Sequence, residues 1–205
     1  MNQCAKNWKD YEVLDTGNKE KLERWNSIIL RRPDPVCVWP IDPENPDWNK
    51  ADAIYHRSKS GGGHWETIKE IKEFWTIGYR GLRFKISPTG FKHTGLFPEQ
   101  AANWDFMMDT IENAKRDDLR ILNLFAYTGG ATMACAKAGA NEVVHVDASK
   151  GMVQWAKENM HLSHLEDHKI LFIVDDVRQI DQKRTTSGTN LSRHHFRSPK
   201  LWTRP

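Results

Sequence analysis

Two glycines and one aspartate form the pattern in this sequence that most directly suggests chemistry. Gly129 and Gly130 follow an apolar run that begins at residue 121, and Asp147 ends the next apolar run, 18 residues after Gly129. A glycine turn lets a ligand approach the backbone closely, and a carboxylate after the neighbouring strand accepts from two vicinal hydroxyls. The spacing resembles the roughly 20 residues between glycine turn and acid in nucleotide-binding α/β units. We therefore expect a cofactor that contains a ribose.

Each part of this pattern also has a simpler explanation. A glycine pair serves as a plain structural turn, and Asp147 could cap the helix that follows it. No Gly-Lys-Ser/Thr follows the glycines, and the Gly-x-Gly-x-x-Gly that brings a pyrophosphate to a helix N-terminus is missing, which argues against NAD and FAD. Asp175 and Asp176 end a third apolar run and could accept from an adenine amine. Three such loops form a crevice that fits a nucleoside without phosphates, namely S-adenosylmethionine (SAM).

The elements that would position these loops alternate between helix and strand. We predict a helix from Pro98 to about residue 115 that buries one apolar face. Strands at 121–127, 142–147 and 170–174 follow, with helices at 131–138 and 150–160 between them. Such alternation predicts α/β architecture, a parallel sheet with right-handed crossovers that forms half of a Rossmann-like sheet. The apolar face comprises Trp104, Met107, Met108 and Ile111.

The first 90 residues predict a different, β-rich (α+β) module. Strand-like runs at 10–17, 27–32, 36–39, 74–79 and 82–86 are separated by proline- and glycine-containing breakers. We expect its tryptophans in the core, with an aromatic binding platform as the alternative. They are Trp8, Trp25, Trp39, Trp48, Trp65 and Trp75. The predicted domains are thus residues 1–90, a cofactor half at 91–182, and a tail at 183–205.

Four segments together carry a resemblance to a known family. The segments at 92–100, 125–131, 144–149 and 174–177 resemble the cofactor motifs of class I SAM-dependent methyltransferases. More closely, they resemble the bacterial group that includes the large-subunit (23S) ribosomal RNA methyltransferases. The resemblance covers roughly residues 85–180. It implies a Rossmann-like fold, SAM as cofactor and RNA, ribosomal in this group, as substrate.

The resemblance also assigns site residues, position by position. It implies that the turn cradles the methionine part of SAM, that Asp147 and its neighbours bind the ribose, that Asp176 and its neighbour bind the adenine, and that the 92–100 segment lines the methionine end. No metal is expected, and no catalytic residue is identified. The residues implied are Thr94, Gln100, Phe125, Ala126, Tyr127, Thr128, Gly129, Gly130, Asp147, Ala148, Ser149, Asp176 and Val177.

Bulk properties restrict the compartment and the partners. No apolar run approaches the roughly 18 residues of a membrane span, and the N-terminus lacks a signal-peptide core. The 3 cysteines have no metal-ligand spacing, so a reducing cytoplasm is expected. The net charge of +3 comes from the tail: residues 183–205 hold six Lys/Arg and no acid, while the rest holds 24 basic and 27 acidic residues, a net charge of −3. Charge alone therefore gives no case for nucleic-acid binding by the body.

The tail departs from the family pattern. The family's next element is a strand that ends in Asp/Asn-Pro-Pro and positions the acceptor, whereas residues 183–205 contain no apolar run and no acid. At face value this is a disordered basic tail. However, codons exist for Lys183 onward that, after removal of one A, read K-E-R-R-Q-G-Q-T-Y-H-A-I-I-L-D-P-P-S-Y-G-R-G. Because this string is a strand followed by the missing motif, we predict a one-nucleotide frameshift near Lys183.

The functional expectation follows from these parts. The intact ancestor transfers a methyl group from SAM to RNA, and this chain keeps the cofactor motifs but lacks the acceptor motif, so we expect it to be inactive. Cys135 is expected in the core rather than as the nucleophile that C5 methylation of a pyrimidine needs. Two alternatives stay open: a non-catalytic RNA-binding remnant and a nucleotide-dependent oxidoreductase.

Overall fold

The chain folds into two compact units. The computed structural model describes residues 5–59, 61–90 and 92–176, and one unit extends to Ala102 while the other begins at Asn103. Val177 and the whole 183–205 segment, with its predicted frameshift, lie outside the described residues. Within the described part of the chain, no helix has the length and apolarity needed to cross a membrane.

The first unit is built on a five-stranded sheet in the order β1-β2-β3-β4-β5. Neighbouring strands are antiparallel except β3 and β4, which are parallel. The strands are β1 (Tyr11–Gly17), β2 (Glu20–Trp25), β3 (Ile28–Pro33), β4 (Ala53–Arg57) and β5 (Gly63–Thr67). A 3₁₀ turn (Pro46–Lys50) precedes β4, and its Trp48 packs against Leu22 of β2. This sheet confirms the β-rich module.

A hairpin completes the first unit. β6 (Trp75–Tyr79) and β7 (Leu82–Ile86) pair in antiparallel fashion, as the alternation of the sequence predicts. Their inward residues are fully buried apolar side chains, which anchors the hairpin. These residues are Ile77, Tyr79, Leu82, Phe84 and Ile86.

The second unit is a parallel α/β unit. Its sheet has the order β10-β9-β8, so the central strand is β9, and helices connect the strands. The helix before the sheet follows a 3₁₀ turn (Pro98–Gln100) and buries Trp104, Met108 and Ile111, as predicted. The elements are α1 (Ala101–Ala114), β8 (Arg120–Leu124), α2 (Gly130–Lys137), β9 (Glu142–Asp147), α3 (Lys150–Leu162) and β10 (Ile170–Val174).

Two predictions for local structure are wrong. Residues 36–39 form no strand, because the flanking Pro35 and Pro40 remove backbone donors, and Trp39 is 49% exposed rather than part of the core. The strand predicted at 121–127 ends at Leu124, because the chain turns there toward the glycines. The structure also contains β2, β4 and β5, which the sequence pattern does not predict.

Candidate cofactor site at the strand ends

Three loops meet at one edge of the β8–β10 sheet. Leu124 is in register with Val146, and Val174 with Asp147, so the parallel strands end side by side. The backbone N–H of Ala126 donates to the carbonyl of Val146 at 3.0 Å. The N–H of Asp175 donates to the carbonyl of Asp147 at 3.2 Å. The structure thus brings together the glycine turn and both acidic loops.

The Asp147 carboxylate joins the turn to its own loop. Its Oδ2 accepts from the backbone N–H of Tyr127 and its Oδ1 from that of Ser149, both at 2.9 Å. Ser149, rather than Asp147, caps α3, and its hydroxyl accepts from the N–H of Met152 at 3.4 Å. The helix-cap hypothesis for Asp147 is therefore wrong. A carboxylate has about four acceptor positions, so half of its capacity remains for a ligand.

The turn after β8 has an unusual backbone. Phe125 and Tyr127 adopt positive φ angles of 56° and 52°, and Gly129 has φ 86°. A left-handed conformation costs a non-glycine residue on the order of 1–2 kcal/mol, and such costs concentrate at functional sites. A Cβ on Gly129 would also lie 3.1 Å from Ala156 Cβ and from Met133 Cε. Gly129 is thus required both by its φ angle and by the close packing of α2 and α3 beneath it.

A buried polar side chain supports the turn from α3. The Asn159 amide is fully buried and donates to the carbonyl of Thr128 at 2.9 Å. Thr128 is itself fully buried, so this carbonyl has lost its water. Because a buried carbonyl without a donor costs about 1–3 kcal/mol, Asn159 fixes the peptide just before Gly129.

A second buried network lies beneath the same turn. Asn123 donates to the Thr132 hydroxyl at 2.8 Å, and that hydroxyl pairs with His145 Nδ1 at 2.9 Å. His145 is fully buried, and its Nε2 has no hydrogen-bond partner among the described residues. Burial lowers the pKa of His145 to about 4, against a smaller opposing effect of Asp147. The imidazole is therefore neutral near pH 7.

The predicted site residues differ in their exposure to solvent. Phe125 is 78% exposed, and Ala148, Ser149 and Asp176 are exposed as well. Tyr127 and Asp147 are half-buried. The remaining turn residues are buried and shape the loop by packing; for example, a Cβ on Gly130 would lie 2.6 Å from the Trp104 ring. These buried residues are Ala126, Thr128, Gly129 and Gly130.

Two predicted residues belong to the first unit. Thr94 is fully buried there, and its hydroxyl has no hydrogen-bond partner among the described residues. Gln100 ends the 3₁₀ turn before α1 and is exposed. Their assignment to the methionine end of the cofactor stays a prediction.

Cys135 is confirmed as a core residue. It lies in α2, is 3% exposed, and has its Sγ 3.9 Å from Met107 Sδ. Burial raises the pKa of its thiol to about 12, so the nucleophilic thiolate is absent at neutral pH.

Sequence reasoning missed Asn159 and His145. On α3 the buried positions are Val153, Ala156 and Asn159, spaced three residues apart on one helix face. A polar residue at a core position of an amphipathic helix is a detectable signal, because such a residue needs an internal partner. His145 lies inside a buried strand and gives the same kind of signal.

The chemistry of the three loops fits SAM. The loops 125–130, 147–149 and 175–176 carry three acidic and no basic side chains, an environment that suits a cation and repels a pyrophosphate. Gly129 keeps the turn backbone free of a side chain. Asp147 offers fixed acceptor positions to hydroxyls. SAM, with its sulfonium, ammonium and ribose groups, meets all three conditions.

Comparison with known proteins agrees with this chemistry. The SAM-dependent methyltransferase from Agrobacterium tumefaciens is 38% identical with a TM-score of 0.81, over 89% of this chain and 57% of that one. Ribosomal RNA large subunit methyltransferase K/L from Shewanella baltica is 30% identical over 157 residues, 76% of this chain and 20% of that protein. A methyltransferase from Streptococcus mutans, 16% identical over 89% of this chain and 50% of that one with a TM-score of 0.68, shares the fold.

The family assignment rests on a match to a family model. This chain spans about a fifth of the length of the K/L relatives and just over half of the Agrobacterium protein. The family model described as S-adenosylmethionine-dependent methyltransferase matches residues 47–188, which is more than half of the chain. The chain belongs to the SAM-dependent methyltransferase family.

Proposed function

We propose that the second unit binds SAM in the crevice at the carboxyl ends of β8, β9 and β10. The observation that carries this proposal is the Asp147 carboxylate, which two backbone N–H groups hold beside the glycine turn. Asp147 would accept the ribose hydroxyls, the backbone from Phe125 to Gly130 would hold the methionine part, and Asp176 would accept from the adenine amine. Ala148 and Ser149 would contribute to the site through the backbone conformation of their loop.

SAM, when bound, supplies an electrophilic methyl group. The chain's own residues bind and orient: the strained turn and the fixed carboxylate are set before the ligand arrives, which lowers the entropy lost on binding. The buried Cys135 thiol of α2 stays protonated at neutral pH and therefore does not supply a thiolate nucleophile. This arrangement supports direct transfer to an acceptor rather than a covalent enzyme intermediate.

RNA is the proposed acceptor of the intact protein, with ribosomal RNA as its class. The support is the activity named for the Shewanella relatives, which are large-subunit ribosomal RNA methyltransferases. The cytoplasm, where such RNA is modified, is the proposed location. The family's Asp/Asn-Pro-Pro acceptor element does not occur in this sequence, so we expect this chain to bind SAM without transferring the methyl group.

Thermal stabilisation tests the cofactor proposal. At a SAM concentration 100 times the Kd, binding to the native state alone stabilises by about 2.7 kcal/mol. We expect an increase in Tm with SAM and with S-adenosylhomocysteine, but none with NAD. If SAM leaves Tm unchanged while the chain still binds RNA, the proposal fails in favour of a non-catalytic RNA-binding remnant.

A further inference from the structure

One face of the five-stranded sheet supports the loop that follows β7. Arg32 Nη1 donates to the carbonyl of Lys92 at 2.8 Å, Tyr55 Oη to that of Gly90 at 3.3 Å, and Trp65 Nε1 to that of Thr89 at 2.9 Å. These three donors come from three adjacent strands, β3, β4 and β5. The loop is therefore held on one face of the sheet within the first unit.

Cations gather at one end of this face. Lys21 is in register with Arg32, and Arg57 lies two residues beyond Tyr55, on the same side of β4. Because β3 and β4 are parallel, Arg32 and Arg57 stand near the same end of the sheet, where β2 begins. The Lys92 ammonium joins them, since its Nζ lies 3.5 Å from the carbonyl of Pro33, the last residue of β3.

The acids at this end do not balance the cations. Glu23 is fully buried and is engaged by Arg32, at 2.6 Å, and by the Tyr11 hydroxyl at 2.7 Å. Asp34 lies 3.8 Å from the Lys21 ammonium. Lys92 and Arg57 form no ion pair with any described residue. The cluster of Lys21, Arg32, Arg57 and Lys92 thus keeps two positive charges uncompensated.

The surrounding charges affect the pKa of the half-buried Lys92. Its pKa is lowered mainly by burial; Asp34 opposes this shift, and Lys21, Arg32 and Arg57 each add a smaller lowering effect. The pKa of the neighbouring His93 is also lowered, to about 4, by burial and by the charges of Lys92, Arg32 and Lys21. A bound anion would reduce the repulsion among these cations, so the cluster favours binding of a negatively charged partner.

We propose that Arg57 and Lys92, supported by Lys21 and Arg32, form a phosphate-binding site for the RNA backbone. This inference rests on the proposed RNA substrate and places one contact of that substrate on the first unit. Arg57 is exposed and offers its guanidinium to solvent, and Lys92 adds a point charge beside it. Contacts of this kind give affinity and register without reading sequence.

Salt-dependent RNA binding tests the site. The affinity of the full chain for a labelled single-stranded RNA oligonucleotide of mixed sequence is measured by fluorescence anisotropy at several KCl concentrations. Arg57→Gln and Lys92→Gln should each weaken binding about threefold to fivefold at low salt and lower the log–log salt slope by about 0.7. The double variant should combine both effects.

Lys72→Gln is the matched control. Lys72 is exposed in the same unit and follows β5, which ends at the opposite end of the sheet from Arg57. The control should bind RNA like the wild type. If the double variant binds as tightly as the wild type with the same salt slope, or if Lys72→Gln loses as much affinity, the phosphate site is wrong while RNA binding stands. If the wild type binds no RNA even at low salt, the proposed substrate and this site both fail.

Discussion

The Asp147 carboxylate and the backbone of Tyr127 are joined by a 2.9 Å hydrogen bond that crosses from the end of β9 to the loop after β8. This bond ties the acid to the glycine turn, so both parts of the proposed SAM site have one fixed geometry. It also explains how Tyr127 keeps a positive φ of 52°, since its N–H has a charged acceptor.

Replacement of Asp147 by Asn should therefore weaken SAM binding sharply. The amide keeps the shape but offers a single acceptor atom, so one of the two backbone N–H groups or the ribose loses its partner. A hydrogen bond to a charged group contributes about 1.5–3 kcal/mol, which corresponds to roughly tenfold to hundredfold in the Kd for SAM, measured by calorimetry. Asp167→Asn, an exposed acid in the same unit, should leave the Kd unchanged. Equal affinities of the Asp147 variant and wild type would contradict the assignment.

Two glycine variants should separate backbone strain from crowding. Gly129 and Gly139 have similar positive φ angles of 86° and 93°, but of the two only Gly129 has neighbouring atoms within 4 Å of the place that an added Cβ would take. Gly139→Ala should lower the free energy of unfolding by about 1 kcal/mol, because of the positive φ angle alone. Its affinity for SAM should be unchanged. Gly129→Ala should cost about 1–3 kcal/mol more and weaken SAM binding, because α2 or α3 must shift. Urea unfolding and calorimetry provide both values, and equal costs for the two variants would refute the crowding argument.

Loss of the Asn159 amide should destabilise the glycine turn, which this side chain supports from α3. Asn159→Leu keeps the side-chain volume but leaves the Thr128 carbonyl without its donor, at a cost of about 1–3 kcal/mol in unfolding free energy. We also expect weaker SAM binding, because this carbonyl precedes Gly129. Asn113→Leu is the control. The Asn113 amide donates to the Asp109 carbonyl at 2.7 Å but is exposed, so its loss should leave the free energy of unfolding and the affinity for SAM nearly unchanged. The interpretation fails if both variants behave alike.

The buried His145 predicts a pH dependence of stability. Its pKa of about 4 in the folded chain lies below the usual 6.5, so between these values the unfolded state binds more protons and the free energy of unfolding rises with pH. The contribution is at most about 3 kcal/mol, present above pH 6.5 and lost as the pH falls toward 4. His93 has a lowered pKa of the same sign, so the His145→Gln variant is needed for comparison. Urea unfolding at pH 5 and pH 7.5 should show a smaller difference in the variant; identical differences would exclude His145 as a source.

The sequence predicts the second unit well because its signals are local. The strands 142–147 and 170–174 have the predicted bounds, since each is a short apolar run between polar loops. β2, by contrast, reads Glu-Lys-Leu-Glu-Arg-Trp, which has no strand pattern and becomes a strand through pairing with β1 and β3. Such pairing is long-range and cannot be read from local propensity.

The candidate site divides in the same way. The glycine turn and Asp147 could be identified from residue type and spacing. For Asn159 and His145 the sequence signals only that a polar side chain lies at a core position, because the partner of such a side chain is set by tertiary packing. The predicted frameshift near Lys183 lies outside the described residues and stays a prediction, which an independent read of the gene at that codon would test.

Calorimetric titration of the full chain with SAM is the decisive test of the proposed cofactor site. We predict one binding site per chain, loss of at least tenfold in affinity for Asp147→Asn, and no binding of NAD. Absence of SAM binding by the folded wild-type chain, or equal affinity of wild type and Asp147→Asn, would refute the proposed cofactor site.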